Sequence, residues 1–356
     1  MNPYKAEKMP VDYGIDKDLL RLASEANAKY GEYKAALDTL ELDASYFLDS
    51  VLLTESYKST QIEGTQISQD EMFYLKYLEK TDDNREIQNL KSTIHYASDH
   101  LESGLNYEFV NQLHGMLLDS VRGANKNPGR IRDTQNWIGP AGCTLETATF
   151  VPPAPEEVYS LLQNLYEYMN NAFIDPYLLN VGLSHAQFET IHPYKDGNGR
   201  LGRALIPVQM SYLDEAQPIL FLSEILELYK PSYQRHLMEY RRGNVTGYLK
   251  FFLQCVIDQC ANYIYKINRV KKIYKEDMEI ISVIRGSSIY RLMPAIKRQV
   301  VFTKKELVDM SGVSVNVVSN LVNQLVALGV IVPDSSVMKK GYRYQRIYEV
   351  FVNMDV

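Results

Sequence analysis

The sequence predicts a mostly α-helical chain that ends in a small α+β unit. Two observations carry this. Apolar residues recur at helical spacing through most of the first 281 positions, and after about residue 282 the helices shorten and alternate with β-branched runs such as Val300-Val301-Phe302-Thr303. In order, Pro3 and Pro10 mark an extended lead, and residues 17–37 form a first helix. In the second helix Leu48, Val51, Leu52, Glu55 and Ser59 share a spacing, and Gly64 stands where a helix stop is expected. Residues 70–78 begin another helix, and helical spacing holds from 85 to 118 (Ile87, Leu90, Ile94, Leu101, then Val110, Leu113, Leu117). Gly139-Pro140-Ala141-Gly142 followed by a β-prone run over 147–151 predicts a hairpin. Further helices are expected over 158–169, 176–189, 202–212 and 248–274. The last part reads as helix 290–297, strand 300–303, helices 304–310 and 313–328, then strands 330–332 and 342–350. Met338-Lys339-Lys340-Gly341 lies between those two strands. The expected divisions are 1–84, 85–281 and 282–356.

Composition limits the function classes. In 356 residues, 46% hydrophobic and 23% charged side chains describe a folding chain rather than a disordered one. The net charge of −6 argues against general nucleic-acid binding by the whole molecule, although beyond residue 282 Lys and Arg outnumber Asp and Glu about two to one. Cys143, Cys255 and Cys260 have no metal-ligand spacing and read as reduced thiols. Met1 to Lys8 lacks the apolar stretch of a signal peptide, and no run is long enough to span a bilayer. A cytoplasmic location without a membrane partner is the expectation. Five histidines (His95, His100, His114, His185, His236) are scattered; the sixth, His192, has neighbours that give it chemistry.

Residues 192–203 read His-Pro-Tyr-Lys-Asp-Gly-Asn-Gly-Arg-Leu-Gly-Arg. His192 can take a proton near neutral pH. Asp196 is a hard oxygen ligand suited to Mg²⁺. Gly197, Asn198 and Gly199 can turn successive N–H groups inward as an anion nest at the start of a helix. Arg200 and Arg203 offer planar charged forks for phosphate oxygens. Together they point to phosphoryl-group chemistry.

This stretch resembles the signature of the Fic family, His-Pro-Phe-x-(Asp/Glu)-Gly-Asn-Gly-Arg-x-x-Arg, with Tyr194 in place of the usual Phe; if buried, its hydroxyl needs a partner. Ser184 to Ile191 leads into the motif as in the family, and residues 130–153 resemble the hairpin flap over its active site. The resemblance implies a Fic-type helical core, transfer of AMP from Mg-ATP to a protein side-chain hydroxyl (Tyr, Ser or Thr), and ATP and Mg²⁺ as substrate and cofactor. His192 would be the base, Asp196 the metal ligand, and Gly197, Asn198, Gly199, Arg200 and Arg203 the phosphate cradle. Tyr233 and Arg241 fall where the family places groups near adenine and ribose. An edge strand of the flap is suited to an extended target segment. The target is another protein or the chain itself, and related proteins are often homodimers.

Ser-Thr-Gln-Ile-Glu-Gly at 59–64 is similar to the inhibitory motif of one class of the family. Ser59 and Glu63 share a helix face, Gly64 follows the helix end, and the resemblance implies a Glu63–Arg203 ion pair that takes the fork away from the ATP γ-phosphate. The order of elements after residue 282 resembles a winged helix-turn-helix, with Lys339 and Lys340 in the wing. Its third helix, 313–328, holds no Lys or Arg, so DNA and protein both remain open as partners of that unit. Two rival readings are removal of AMP by the same site and a nucleotide-sensing, DNA-binding regulator.

Overall fold

The computed structural model describes residues 2–40, 44–79, 81–140, 142–171, 175–335 and 340–353. Its helices are α1 (Lys17–Asp38), α2 (Ala44–Ile62), α3 (Asp82–Asp99), α4 (Tyr107–Leu117), α5 (Pro155–Met169), α6 (Tyr177–Ile191) and α7 (Asn198–Asp214). They continue with α8 (Ser223–Leu228), α9 (Lys230–Arg241), α10 (Val245–Ile281), α11 (Ser288–Lys297), α12 (Lys304–Ser311), α13 (Val315–Ala327) and α14 (Gln345–Val352). Residues Asp70–Tyr74, expected to open a helix, form a single 3₁₀ turn. The strands are β1 (Val301–Thr303), β2 (Val332–Asp334) and β3 (Gly341–Arg343). No helix among the described residues is long and apolar enough to cross a membrane.

Two compact units divide the chain. One gathers residues 1–30, 55–66 and 81–260; the other gathers 31–54, 67–80 and 261–356. Each is therefore assembled from separated stretches, unlike the contiguous divisions expected at 84/85 and 281/282.

In the first unit α6 is the centre. Every residue from Leu178 to Ile191 is buried, so the helix shows no polar stripe and sits inside a layer of other helices. It packs on α5, α7 and α9. Gly182 permits a close approach to α10, since a Cβ there would lie 2.8 Å from Cδ1 of Phe252. Gln209 of α7 ties the layer with its side-chain amide, which donates to Met169 O, Asn180 Oδ1 and Ser184 Oγ. Local signals set the ends: Asn106 accepts from Phe109 N at the start of α4, and Pro155 opens α5. The expected flap hairpin is reduced to one antiparallel bridge, Ile138 with Phe150, and Ala141 of its turn lies outside the described residues.

The second unit closes a three-stranded antiparallel sheet in the order β1-β3-β2, with Val301 and Val332 both opposite Arg343. A capping box of Thr303 and Glu306 starts α12. Helix α13 buries Val318, Leu321, Val322 and Leu325 and exposes Val315, Val317 and several Asn and Gln, a face without charge. The strand expected over 342–350 stops at Arg343. Ile347, Tyr348 and Phe351 are buried at helical spacing, which makes 345–352 a helix. Met338 and Lys339 lie outside the described residues.

Candidate active site

Helix α6 ends because Pro193 cannot continue it, and the residue before a proline is pushed out of the helical region. His192 takes the left-handed conformation there, φ 48°. Such a backbone costs a non-glycine residue about 1–2 kcal/mol, and Arg132 provides the compensation. Its guanidinium is fully buried and donates to the carbonyls of His192 (3.0 Å), Ile191 (3.3 Å) and Pro153 (2.5 Å), while its backbone N–H donates to Pro193 O. Burial lowers its pKa to about 10, with Glu156 opposing, and leaves the guanidinium charged. Asn136 adds a second tie from the flap segment, its amide nitrogen 2.9 Å from His192 Nδ1.

The turn between α6 and α7 is pinned from within. The Asn198 side-chain oxygen accepts from Tyr194 N, and its NH₂ donates to Tyr194 O, both at 2.8 Å. The Tyr194 ring is buried and stacked on His114 at 3.7 Å, and its hydroxyl finds the partner it needs in Asn111 Oδ1, 2.8 Å away. His114 Nδ1 accepts from Gly129 N, so its proton lies on Nε2 and is donated to Asp196 O at 2.9 Å. Burial depresses the His114 pKa to about 4 and keeps that tautomer neutral. Gly197 takes φ 77° and delivers the chain into the first turn of α7.

Asp196 has one oxygen engaged and one open. Oδ1 accepts from Gly197 N (2.6 Å) and Arg200 Nη2 (3.3 Å), whereas Oδ2 accepts no hydrogen bond among the described residues. Gly123, φ 95°, leaves room beside it; a Cβ there would stand 3.1 Å from Oδ2. One free carboxylate oxygen beside the N-terminus of α7 fits Mg²⁺, which binds through one or two carboxylates and keeps the rest of its shell for water and substrate phosphates. Asp196 would hold it; no group of three or more ligating side chains comes together among the described residues.

The two arginines take different roles. Arg200 is 1% exposed and turned inward, Nη1 3.3 Å from Glu86 Oε2 and Nη2 on Asp196. It braces the metal-ligand candidate and offers no fork to solvent, contrary to its expected place in the phosphate cradle. Arg203 fans over the end of α2: Nε donates to Ser59 Oγ (3.0 Å), and Nη2 donates to Ser59 O (2.8 Å) and to Glu63 Oε1 (2.8 Å). Helix α2 ends at Ile62, whose carbonyl accepts from Lys230 Nζ, and Gly64 turns the chain away at φ 93°. This projects Glu63 over the start of α7, where a Cβ on Gly199 would lie 2.3 Å from Glu63 Oε1. A carboxylate therefore sits on the positive end of a 17-residue helix. Burial acts to raise the Glu63 pKa, but the charge and hydrogen bond of Arg203, with Arg200 and His192 adding, bring it below the usual value.

Of the sequence-predicted residues, His192, Asp196, Gly197, Gly199, Arg203, Ser59, Glu63 and Gly64 gather at this one end of α6 and α7. Asn198 contributes its side chain to the turn, leaving only its backbone to the nest. Tyr233 and Arg241 are drawn inside. The Tyr233 hydroxyl pairs with His185 Nε2 at 2.8 Å, and Arg241 donates to Glu189 O at 2.8 Å beneath the Phe150 ring. Neither presents a free surface to adenine or ribose. Sequence reasoning passed over Glu86, Asn111, His114, Arg132 and Asn136, whose partners are distant in the chain.

The model of the Fic/DOC family matches residues 104–210, and that of the Fic/DOC family N-terminal region matches 20–99, together more than half of the chain. Protein adenylyltransferase fic-1 of Caenorhabditis elegans is 33% identical over 85 residues, 23% of this chain and 15% of that protein. Protein adenylyltransferase Fic of Nematostella vectensis is 25% identical over 131 residues, 36% of this chain and 27% of the relative. The aligned stretches thus span about a quarter or less of these relatives' length. A crystal structure of a Fic family protein from Desulfovibrio desulfuricans G20 has the same fold, with TM-score 0.61 at 18% identity over 93% of this chain and 97% of that one. Fic-1 (residues 134–508) of C. elegans gives TM-score 0.52 at 17% identity over 70% and 73%. With the motif turn, the flap bridge and the helical core in place, the chain belongs to the Fic/DOC family.

Proposed function

We propose that the protein is an autoinhibited protein adenylyltransferase that uses Mg-ATP. The supporting observation is the Glu63–Arg203 pair laid over the N-terminus of α7, with His192 at the end of the adjoining helix. In the active form Arg203 and the N–H groups of residues 198 and 199 hold the phosphates in line. His192 accepts the proton of the target hydroxyl, the oxygen bonds to the α-phosphorus, and the bond to the β-phosphate bridge breaks to release pyrophosphate. Asp196 would hold Mg²⁺, which would neutralise charge on the phosphates. The relatives are named protein adenylyltransferases, and His192, Asp196 and the turn at residues 197–199 are the groups that would serve as base, metal ligand and nest.

Glu63 occupies the anion position itself. A charge-assisted hydrogen bond is worth about 1.5–3 kcal/mol, and each 1.4 kcal/mol is about tenfold, so release of Glu63 should raise productive ATP binding about ten- to a hundredfold. Incubation with ATP labelled on the α-phosphate tests this. Glu63→Gly should label itself at least ten times faster than the wild type, and His192→Ala combined with it should remove the label. Equal label on the two would sink the mechanism.

A second reading, removal of AMP, is supported by the other oxygen of Glu63: Oε2 has no partner among the described residues, and the side chain is 36% exposed, placed to orient a water. Mass analysis of an adenylylated target incubated with the wild type in the absence of ATP separates the two. Loss of AMP dependent on Glu63 favours removal, and an unchanged target favours transfer.

A further inference from the structure

His192 is neutral, because burial, with Arg241 and Arg132 close by, lowers its pKa to about 3. A neutral imidazole carries one proton, on Nδ1 or on Nε2. Nδ1 is covered by the amide of Asn136, so a target hydroxyl must be served by Nε2. The orientation of that amide follows from its surroundings. The end nearest the ring is 3.0 Å from Tyr194 O and 3.2 Å from His192 O. Two carbonyl oxygens accept hydrogen bonds only, so this end is the NH₂ group; an oxygen placed there would face two other oxygens. Consistent with this, Asn136 Oδ1 at the other end is buried and without a hydrogen-bond partner. The two N–H groups are shared among these three acceptors, and however they are shared the delocalised amide nitrogen offers no lone pair to an Nδ1–H. Donation to Nδ1 requires the ring proton to be on Nε2.

We propose that Asn136 is a positioning residue for AMP transfer that stores His192 in the Nε2–H tautomer, the resting form in which the nitrogen facing the target is already protonated. Base action then requires the proton on Nδ1, with an acceptor facing it. The Asn136 amide, held by the carbonyls of Tyr194 and His192, cannot be that acceptor as it stands, so it must move off Nδ1 before transfer. Asn136 lies two positions before Ile138, whose backbone closes the flap bridge with Phe150, so the latch sits on the segment that a target would engage. This is a second restraint, independent of Glu63, and it rests on the proposed transfer reaction.

The test reads the ring directly, without turnover. Long-range ¹H–¹⁵N correlation spectra of the full chain with labelled histidine, in the absence of ATP, assign the His192 tautomer by comparison with His192→Ala. Expected is Nε2–H in the wild type, in excess by a factor on the order of ten, and inversion to Nδ1–H in Asn136→Asp, where the donor becomes an acceptor. Nδ1–H in the wild type overturns the proposal, and so does the same tautomer in both proteins. If Asn136→Asp fails to fold, the wild-type spectrum alone decides. Absence of label from Glu63→Gly together with an inverted tautomer would reject AMP transfer while retaining the Asn136 latch; label together with an unchanged tautomer would do the reverse.

Discussion

At the scale of single residues, the two arginines of the motif show where sequence reading stops. Arg200 and Arg203 are three apart on one helix and look alike as phosphate forks, yet one faces Glu86 and the other Glu63. The difference lies in α3 and α2, more than a hundred residues away, and nothing local to the motif encodes it. Glu63 was legible because its own short motif carries it; Glu86 has no such context. The buried pair predicts a double-variant result. Glu86→Ala leaves the buried Arg200 guanidinium with the partly exposed Asp196 as its one remaining carboxylate, at 3.3 Å, and breaking a buried pair in this way costs about 3–5 kcal/mol. Replacing both partners by apolar residues of similar size removes the charge that needed compensation, so Glu86→Leu with Arg200→Met should recover most of that loss. Urea unfolding of the three proteins checks this. A double variant no more stable than Glu86→Ala would show that the loss comes from packing and not from an unpaired charge.

At the scale of elements, helix existence was legible and helix surroundings were not. The spacing over 176–189 predicts α6 to within two residues of its ends. It could not show that the helix is buried on all sides, because a uniformly apolar segment has no face to point with. Similarly, the C-terminal segment alternates Tyr342, Tyr344, Tyr348 and Val350 as a strand would, while Ile347 and Phe351 complete a helical face that wins by burial. The flap signal was real but short, and it closes as a single bridge. Gly182 gives the element-level prediction. Ala at a helix interior position gains about 0.8–1 kcal/mol in propensity over Gly. Here its Cβ would be 2.8 Å from the edge of the Phe252 ring, which is rigid and itself buried. Overpacking of this kind costs about 1–3 kcal/mol, so Gly182→Ala should be destabilising despite its propensity, and Phe252→Leu in the same chain should restore part of the loss. A Gly182→Ala protein with a raised melting temperature would mean that α6 and α10 have room to move apart.

At the scale of the molecule, the buried ionisable groups of the first unit fix how its stability follows pH. Burial, with neighbouring charges, lowers His114 to about 4 and His185 and His192 to about 3, against an ordinary value of 6.5. Burial raises Glu55 and Glu189 to about 7 against an ordinary 4.5. For the histidines the unfolded chain binds protons that the folded chain refuses, so stability falls as pH drops below 6.5. For the two glutamates the folded chain keeps protons that the unfolded chain has released, so stability falls as pH rises from 4.5 to 7. Between 4.5 and 6.5 three protons oppose two, and the net slope is about 1.4 kcal/mol per pH unit in favour of higher pH. Between 6.5 and 7 only the glutamates act, and the sign reverses. Below 4.5 the histidines are unopposed, and the lowered Glu63 joins them. The melting temperature, scanned at constant ionic strength, should therefore peak near pH 6.5, decline gently to about 4.5, and drop steeply beyond. Glu189→Gln removes one of the two opposing protons, so it should steepen the decline between 6.5 and 4.5 about twofold and flatten the loss above 6.5. If that variant keeps the wild-type profile, Glu189 is ionised in the folded protein, and its buried carboxylate must then be a standing counter-charge to Arg203.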